Sequence, residues 1–191
     1  MGTYTKKEQQ IFQGVLQLIQ QGVDLHTVKV QDIATTAGIG KGTLYEYFSS
    51  KEEIITKTLS YLYLQEIEFF EHIIQEQKHF DDVIRLVIEH VAHSPLPAAR
   101  TFHAVFIAYP PKASIHQQLS ELYYTRFIHA AMALTALGRQ DGVIAETCTD
   151  EYCLFVIRAA SFNLISSQLC GSPDAHQQEH FIKLLHNSFM A

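Results

Sequence analysis

Lys41 stands between two glycines, Gly40 and Gly42, and is followed by Thr43, Tyr45, Tyr47 and Lys51, a run rich in hydrogen-bond donors. If this segment opens a helix, Lys41, Gly42 and Thr43 form its exposed first turn, where side chains and free backbone N–H groups can meet base edges and phosphates. Leu44 and Phe48, four apart, then face inward. Tyr45 and Tyr47 point elsewhere, so their hydroxyls, together with Lys51, can reach flanking phosphates. The chemistry implied is recognition of a nucleic acid and not bond cleavage.

Other reactive side chains point to no catalytic site. Asp32, Glu46, Glu52 and Glu53 read as solvated groups or helix-dipole partners. No Gly-x-Ser-x-Gly, phosphate loop or dinucleotide fingerprint occurs, and Gly38 to Gly42 follows a helical pattern, not a strand. An enzyme is not expected, nor is a cofactor. Among eleven histidines, His176 and His180 lie four apart beside Glu179, a spacing able to chelate zinc. The same spacing arises readily on the polar face of a terminal helix, and no His-Glu-x-x-His order is present, so no metal is expected. Cys148, Cys153 and Cys170 are an odd number without a Cys-x-x-Cys pattern or a secretory signal, and they read as buried thiols.

The elements that must carry these residues are helical throughout. Ile11, Val15, Leu18 and Ile19 recur at helical spacing, giving a first helix from about Lys6 to Gln21 that Gly22 closes. Val30 to Ala37 reads as a second short helix, and Lys41 to Phe48 as a third. Ile33, Ala34 and Ala37 give the second an apolar stripe, and Ala34 lets two short helices cross closely. Gly38 supplies a left-handed turn and Ile39 fills the corner. Ser50 with Glu53 forms a Ser-x-x-Glu capping pattern that opens a long fourth helix to about Gln77. Further helices are expected at about 81–93, 97–108, 113–137, 150–170 and 175–189. The Pro and Gly clusters at Ser94-Pro95, Pro110-Pro111, Gly138 to Gly142 and Gly171-Ser172-Pro173 separate them. The fold class is all-α with about nine helices. Residues 1–50 form a three-helix helix-turn-helix domain, and 51–191 form a helical ligand-binding and dimerisation domain.

The run from Val30 to Lys51, with Ile33-Ala34, Ala37-Gly38-Ile39, Lys41-Gly42-Thr43-Leu44-Tyr45-Glu46-Tyr47-Phe48 and Ser50-Lys51-Glu52, closely resembles the TetR family of transcriptional regulators. The resemblance covers roughly residues 8–57. It implies a third helix in the major groove, with Gln31, Lys41, Gly42 and Thr43 near bases and Tyr45, Tyr47 and Lys51 on the backbone. Gly40 stands where the family often has a capping Ser or Thr, and the connection from Val23 to Lys29 is about two residues longer than usual.

One short recognition helix touches too few bases for selectivity, so a homodimer on a palindromic operator in double-stranded DNA is expected. The last two helices supply candidate interface residues: Phe155, Arg158, Phe162, Phe181, Leu184, Leu185 and Ser188. Alanines and serines nearby, such as Ala159, Ala160 and Ser161, permit close helix approach. The resemblance likewise implies a four-helix interface built from these two helices. Between reading head and interface lies a high density of aromatics, from Tyr61 and Tyr63 onward, which a ligand pocket would explain. Its candidate residues are Phe69, His90, Phe102, His103, Phe106, Tyr123, Phe127 and Asn163, with Arg126 as a further polar group. The resemblance implies a small-molecule inducer, apolar or amphipathic, whose binding shifts the fourth helix and releases a repressor from DNA.

Lysine and arginine number 14 against 20 acidic residues, a formal charge of −6, yet residues 1–57 hold six of each sign. A neutral head on an acidic body binds non-specific DNA weakly, which leaves open a helical partner-binding adaptor that has lost DNA binding. The opening residues show no export signal, and no apolar run is long enough to span a bilayer, so a cytoplasmic protein without membrane contact is expected.

Overall fold

The computed structural model describes residues 4–93, 114–167 and 175–190, and these are all-α, with eight helices among them. They are α1 (Lys6–Gln20), α2 (Val30–Thr36), α3 (Lys41–Tyr47), α4 (Lys51–Glu76), α5 (Phe80–His93), α6 (Ser114–Gln140), α7 (Asp150–Ser167) and α8 (Ala175–Phe189). The helix expected at 97–108 lies outside the described residues. The described residues divide into two compact units, the first containing residues 4–65 and 114–121 and the second residues 66–93, 122–167 and 175–190.

In the first unit α1 starts on a capping box. The Glu8 N–H donates to Thr5 Oγ1 at 3.2 Å while the Thr5 N–H donates to Glu8 Oε2 at 2.7 Å, satisfying two donors that the helix end would otherwise orphan. The expected stripe is buried, and Phe12 and Leu16 join it, so α1 is apolar over a wider arc than four positions indicate. Gly14 is the close-approach point: a Cβ there would lie 2.8 Å from the Ala37 Cβ, so the end of α2 rests directly on α1 backbone. The Gln10 side chain donates to the Ala37 carbonyl at 2.7 Å, closing α2 from the neighbouring helix. The connection from Val23 to Lys29 is a structured turn. The His26 N–H donates to Asp24 Oδ1 at 2.8 Å, and Leu25 and Val28 plug into the core. Each buried aliphatic side chain of this size contributes about 1.5–3 kcal/mol relative to exposure, which holds a connection lacking regular structure.

The second unit is organised on α5, which packs against α7 and α8, themselves packed together. Its amphipathic face (Phe80, Val83, Ile84, Ile88 and Val91) is buried, and Ile157, Leu164, Ile182, Leu185 and Phe189 complete the core. Asp141 accepts from the Phe80 N–H at 2.6 Å and fixes the start of α5. The sequence places the end of α6 before Gly138, but the helix runs through it to Gln140. A Cβ at Gly138 would lie 2.7 Å from Ile144 Cδ1, so this glycine makes room for packing inside the helix and does not break it. Gly142, at φ 72°, supplies the left-handed stop instead. Cys148 and Cys153 are buried as expected, and burial raises the Cys153 thiol above its ordinary pKa, keeping it protonated and unreactive. Cys170 lies outside the described residues.

Candidate nucleic-acid interface and apolar cavity

The turn between α2 and α3 is built by Gly38, whose φ of 66° only glycine adopts without strain. The Ile39 N–H donates to the Ala34 carbonyl at 3.0 Å and so satisfies the end of α2. Gly40 is the N-cap of α3 in extended conformation, without a side-chain cap. Leu44 and Phe48 are buried and clamp α3 to its unit, while Lys41, Gly42, Tyr45 and Tyr47 are exposed, the two tyrosines at 48% and 39%. Thr43 is half-buried. The Lys41 ammonium stands 5.9 Å from the centre of the Tyr45 ring, a cation–π contact that joins the two on one face. Gln31 is exposed on α2 with its amide donating to Thr35 Oγ1 at 3.4 Å. Gln31, Lys41, Gly42, Tyr45 and Tyr47 are thus exposed, with Thr43 half-buried beside them.

Lys51 is different. Its ammonium donates to the carbonyls of His26 at 2.7 Å and Val28 at 3.3 Å, so it braces the connection before α2 against the start of α4. An ammonium has three donors, and one remains for a phosphate. The start of α4 is also capped more elaborately than the Ser50–Glu53 pattern requires. The Glu53 N–H donates to Ser50 Oγ at 3.1 Å, while Glu53 Oε2 accepts from both the Ser49 N–H at 2.8 Å and the Ser49 hydroxyl at 2.6 Å. The Ser49 hydroxyl, then its N–H, hold the Glu53 carboxyl below the usual carboxylate range.

The second unit contains a cavity of about 100 Å³. Its walls are hydrocarbon: Phe70 and Ile74 of α4, Val83, Ile84, Val87 and Val91 of α5, Phe127, Ala131 and Leu134 of α6, and Ile157, Ala160 and Leu164 of α7 are among them. Ser161, also on the wall, spends its hydroxyl proton on the Ile157 carbonyl at 2.8 Å. Of the candidate pocket residues Phe127 lines this space. Phe69 and His90 do not; they stack on each other with ring centres 3.8 Å apart, and His90 Nε2 lies 2.8 Å from Glu66 Oε2. Asn163 is exposed, because it falls on the outer face of α7. Phe102, His103, Phe106 and the side chain of Tyr123 lie outside the described residues. Arg126 pairs with Glu71 through two hydrogen bonds, Nε to Oε1 at 2.9 Å and a second from Nη2 to Oε2. Hydrogen bonding to Arg126 holds the Glu71 carboxyl below its ordinary pKa. Tyr61 belongs to the first unit, packed 5.2 Å from Phe12.

On α7, Phe155 and Phe162 stand 59% and 62% exposed, with Tyr152 and Arg158 on the same outer side, and on α8 Leu184 is 56% exposed. Ser188 is half-buried, its hydroxyl donating to the Leu184 carbonyl at 2.8 Å. Two candidate interface residues are corrected. Leu185 is buried in the core of its own chain and Phe181 lines the cavity, because the apolar stripe of α8 faces inward and Leu184 sits off it.

Residues 17–57 match the family described as bacterial regulatory proteins, tetR family. The helix-turn-helix of the first unit is thus similar to that of the tetR family. The HTH-type transcriptional regulator SAR0097 of Staphylococcus aureus (strain MRSA252) is 38% identical over 52 residues, which is 25% of this chain and 27% of that protein. Two solved structures share the fold over nearly the whole length. Transcriptional regulator FadR from Bacillus subtilis, in complex with stearoyl-CoA, superposes with a TM-score of 0.71 at 20% identity, covering 95% of this chain and 97% of its own. NemR of E. coli in its reduced form gives 0.77 at 14% identity, covering 96% and 98%. The matched segment therefore sits in a chain whose fold, over nearly its whole length, is shared with these two structures. No described helix is long and apolar enough to cross a membrane.

Proposed function

We propose that the chain is a homodimeric transcriptional repressor that holds a palindromic operator with α3 of each protomer and is released by a small apolar or amphipathic ligand. Residues 1–50 serve as the reading head, and 51–191 as the ligand-binding and dimerisation body. The observation that carries this reading is the outward presentation of Lys41, Gly42 and Tyr45 from a helix clamped on its other side by Leu44 and Phe48. Lys41 and Gly42, with Gln31 and Thr43, face bases, and Tyr45, Tyr47 and the remaining donor of Lys51 meet phosphates. A helix of this length reads only a few base pairs, so two copies on symmetric half-sites are needed for selectivity. The exposed Phe155, Phe162 and Leu184 supply the matching surface, since large apolar side chains left in water on adjacent helices favour burial against a second copy.

The cavity supports the ligand. Its wall offers hydrocarbon contact and no charge, which suits a chain or ring and leaves any ionic headgroup outside. FadR from Bacillus subtilis, which shares this fold, was solved with stearoyl-CoA, and this supports a ligand of that chemical kind. Ligand and operator favour different states of the same dimer, so each weakens the other. The site of action is the cytoplasm, where the DNA is.

The test is a gel-shift titration against DNA from the protein's own upstream region at several salt concentrations. The wild type binds with a salt-dependent affinity, and Lys41→Ala and Tyr45→Phe each weaken it while the dimer persists. Unchanged affinity in both variants overturns the interface. A folded dimer that retains no DNA even at low salt points instead to the adaptor, which the neutral head would fit.

A further inference from the structure

We propose that His176 and His180 form a binding site for a borderline divalent transition-metal ion such as Zn²⁺, Ni²⁺ or Cu²⁺, independent of the regulator reading. The sequence alone argues against a metal, because four-residue spacing on a terminal helix is common; the structure adds three observations. The two imidazoles lie with ring centres 4.1 Å apart and planes at 56°, already on one side of α8 one turn apart. Both side chains are exposed, and among the described residues neither ring has a hydrogen-bond partner. The other ring-to-carboxylate contacts follow a different pattern: His79 faces Asp141, His90 faces Glu66 and His186 faces Asp81, at 3.4, 2.8 and 2.7 Å. His176 and His180 face each other instead, and the intervening Glu179 is committed to Arg85 at 2.9 Å.

Two imidazoles in contact repel when both are protonated, whereas a metal cation between their nitrogens joins them. With metal–nitrogen bonds of about 2.0–2.1 Å, tetrahedral geometry sets the two nitrogens roughly 3.3 Å apart, within reach of rings already this close after small rotamer changes. A nitrogen-only pair selects zinc, nickel or copper over magnesium or calcium. Ile182, Leu185 and Phe189, buried on the other side of α8, hold the helix that carries the pair. Water fills the remaining coordination positions, and binding weakens as pH falls because protons compete for the same nitrogens.

The experiment uses the tag-free full chain, stripped with chelator and titrated with Ni²⁺ or Zn²⁺ alone against a chromophoric competitor. The expected result is one ion per chain, with affinity at least tenfold lower in His176→Ala and in His180→Ala and thermal unfolding in chelator unchanged. Because the chain has eleven histidines, the double variant decides where the ion sits, and wild-type affinity in it overturns the assignment. The wild type gives a second readout: Zn²⁺ should shift the ring C–H resonances of these two histidines, and resonances that stay put also overturn it.

Discussion

Replacing Gly42 by alanine separates what α3 needs to fold from what it needs in order to bind. A Cβ built at Gly42 meets nothing within 4 Å, and its backbone is not left-handed, so the methyl is accommodated in the free protein. Alanine is favoured over glycine by about 0.8–1.0 kcal/mol inside a helix and by less in a first turn, so stability should rise by about 0.5 kcal/mol. In a chain of this length that raises Tm by about 1–2 °C. Under the proposed function, the same methyl would occupy space that DNA approaches on the operator. A disturbed base step costs about 1–3 kcal/mol, so affinity should fall roughly tenfold to a hundredfold. Calorimetry and a gel shift on one preparation give both signs. A variant that melts higher and binds as well as wild type would show that DNA does not approach Gly42, and the interface drawn on α3 would be wrong. Gly14→Ala is the contrasting case. Its Cβ would sit 2.8 Å from the Ala37 Cβ and 2.9 Å from the Ala37 Cα and N, against a comfortable separation of about 3.5–4.0 Å. The obstruction is largely backbone, so overpacking of about 1–3 kcal/mol outweighs the helix gain, and Tm should fall.

Phe162→Glu, placing a charge on the exposed apolar side of α7, should turn the proposed dimer into monomer in sedimentation experiments without loss of helicity; a variant that still sediments as wild type rejects that face. Ala131→Leu swaps a methyl for an isobutyl group on the wall of a cavity of about 100 Å³, and should weaken binding of a fluorescent fatty acid at least tenfold while operator affinity stays within twofold. Equal fatty-acid binding by both proteins would place the ligand elsewhere. Glu71, with its folded pKa depressed by Arg126, contributes stability that is present above the unfolded carboxylate pKa of about 4.3 and is lost as pH falls through the folded value. Glu71→Gln should therefore be less stable than wild type at pH 6, with the gap closing below about pH 4 in urea titrations; a gap that stays constant across that range removes the ion pair from the account.

The reading head was legible because its determinants are local. Leu44 and Phe48 at four-residue spacing, Gly38 between two apolar patterns and the Ser50–Glu53 cap are facts about neighbours in sequence, and the structure reproduces each. Lys51 was legible as a cation but not as a brace, since its partners are carbonyls of His26 and Val28 in a connection that no periodicity describes. Gly14 carried a signal that went unused: a lone glycine inside a strong helical pattern marks a close approach of backbone. For the cavity, aromatic density was a partial guide, since Phe70 and Phe127 line it. Tyr61 packs on Phe12 and His90 pairs with Glu66, whereas Val83, Val87 and Val91, at i, i+4 and i+8 on α5, form the wall. Periodicity finds such a stripe but does not say whether the space it faces is filled. On α8 the inward pull of Leu185 and Phe189 turned Phe181 toward the cavity and left Leu184 outside, a choice of face made by tertiary packing.

The distribution of bonds along α4 bears on how a ligand would be felt. Within the first unit α4 is held by Ile54, Ile55 and Leu59, all without exposed surface, and by a start tied down through Ser49, Ser50 and Lys51. Within the second unit Ile67 and Ile73 are buried, two exchangeable ionic contacts, Glu66 with His90 and Glu71 with Arg126, also hold the helix, and Phe70 and Ile74 form part of the cavity wall. Pairs with a quarter to a third of their side-chain surface in water reorganise at small cost, whereas close-packed aliphatic contacts shift only as a block. Under the proposed function, a ligand pressing on Phe70 and Ile74 would therefore be felt first in the later turns of α4, within the second unit, where ionic partners exchange at small cost.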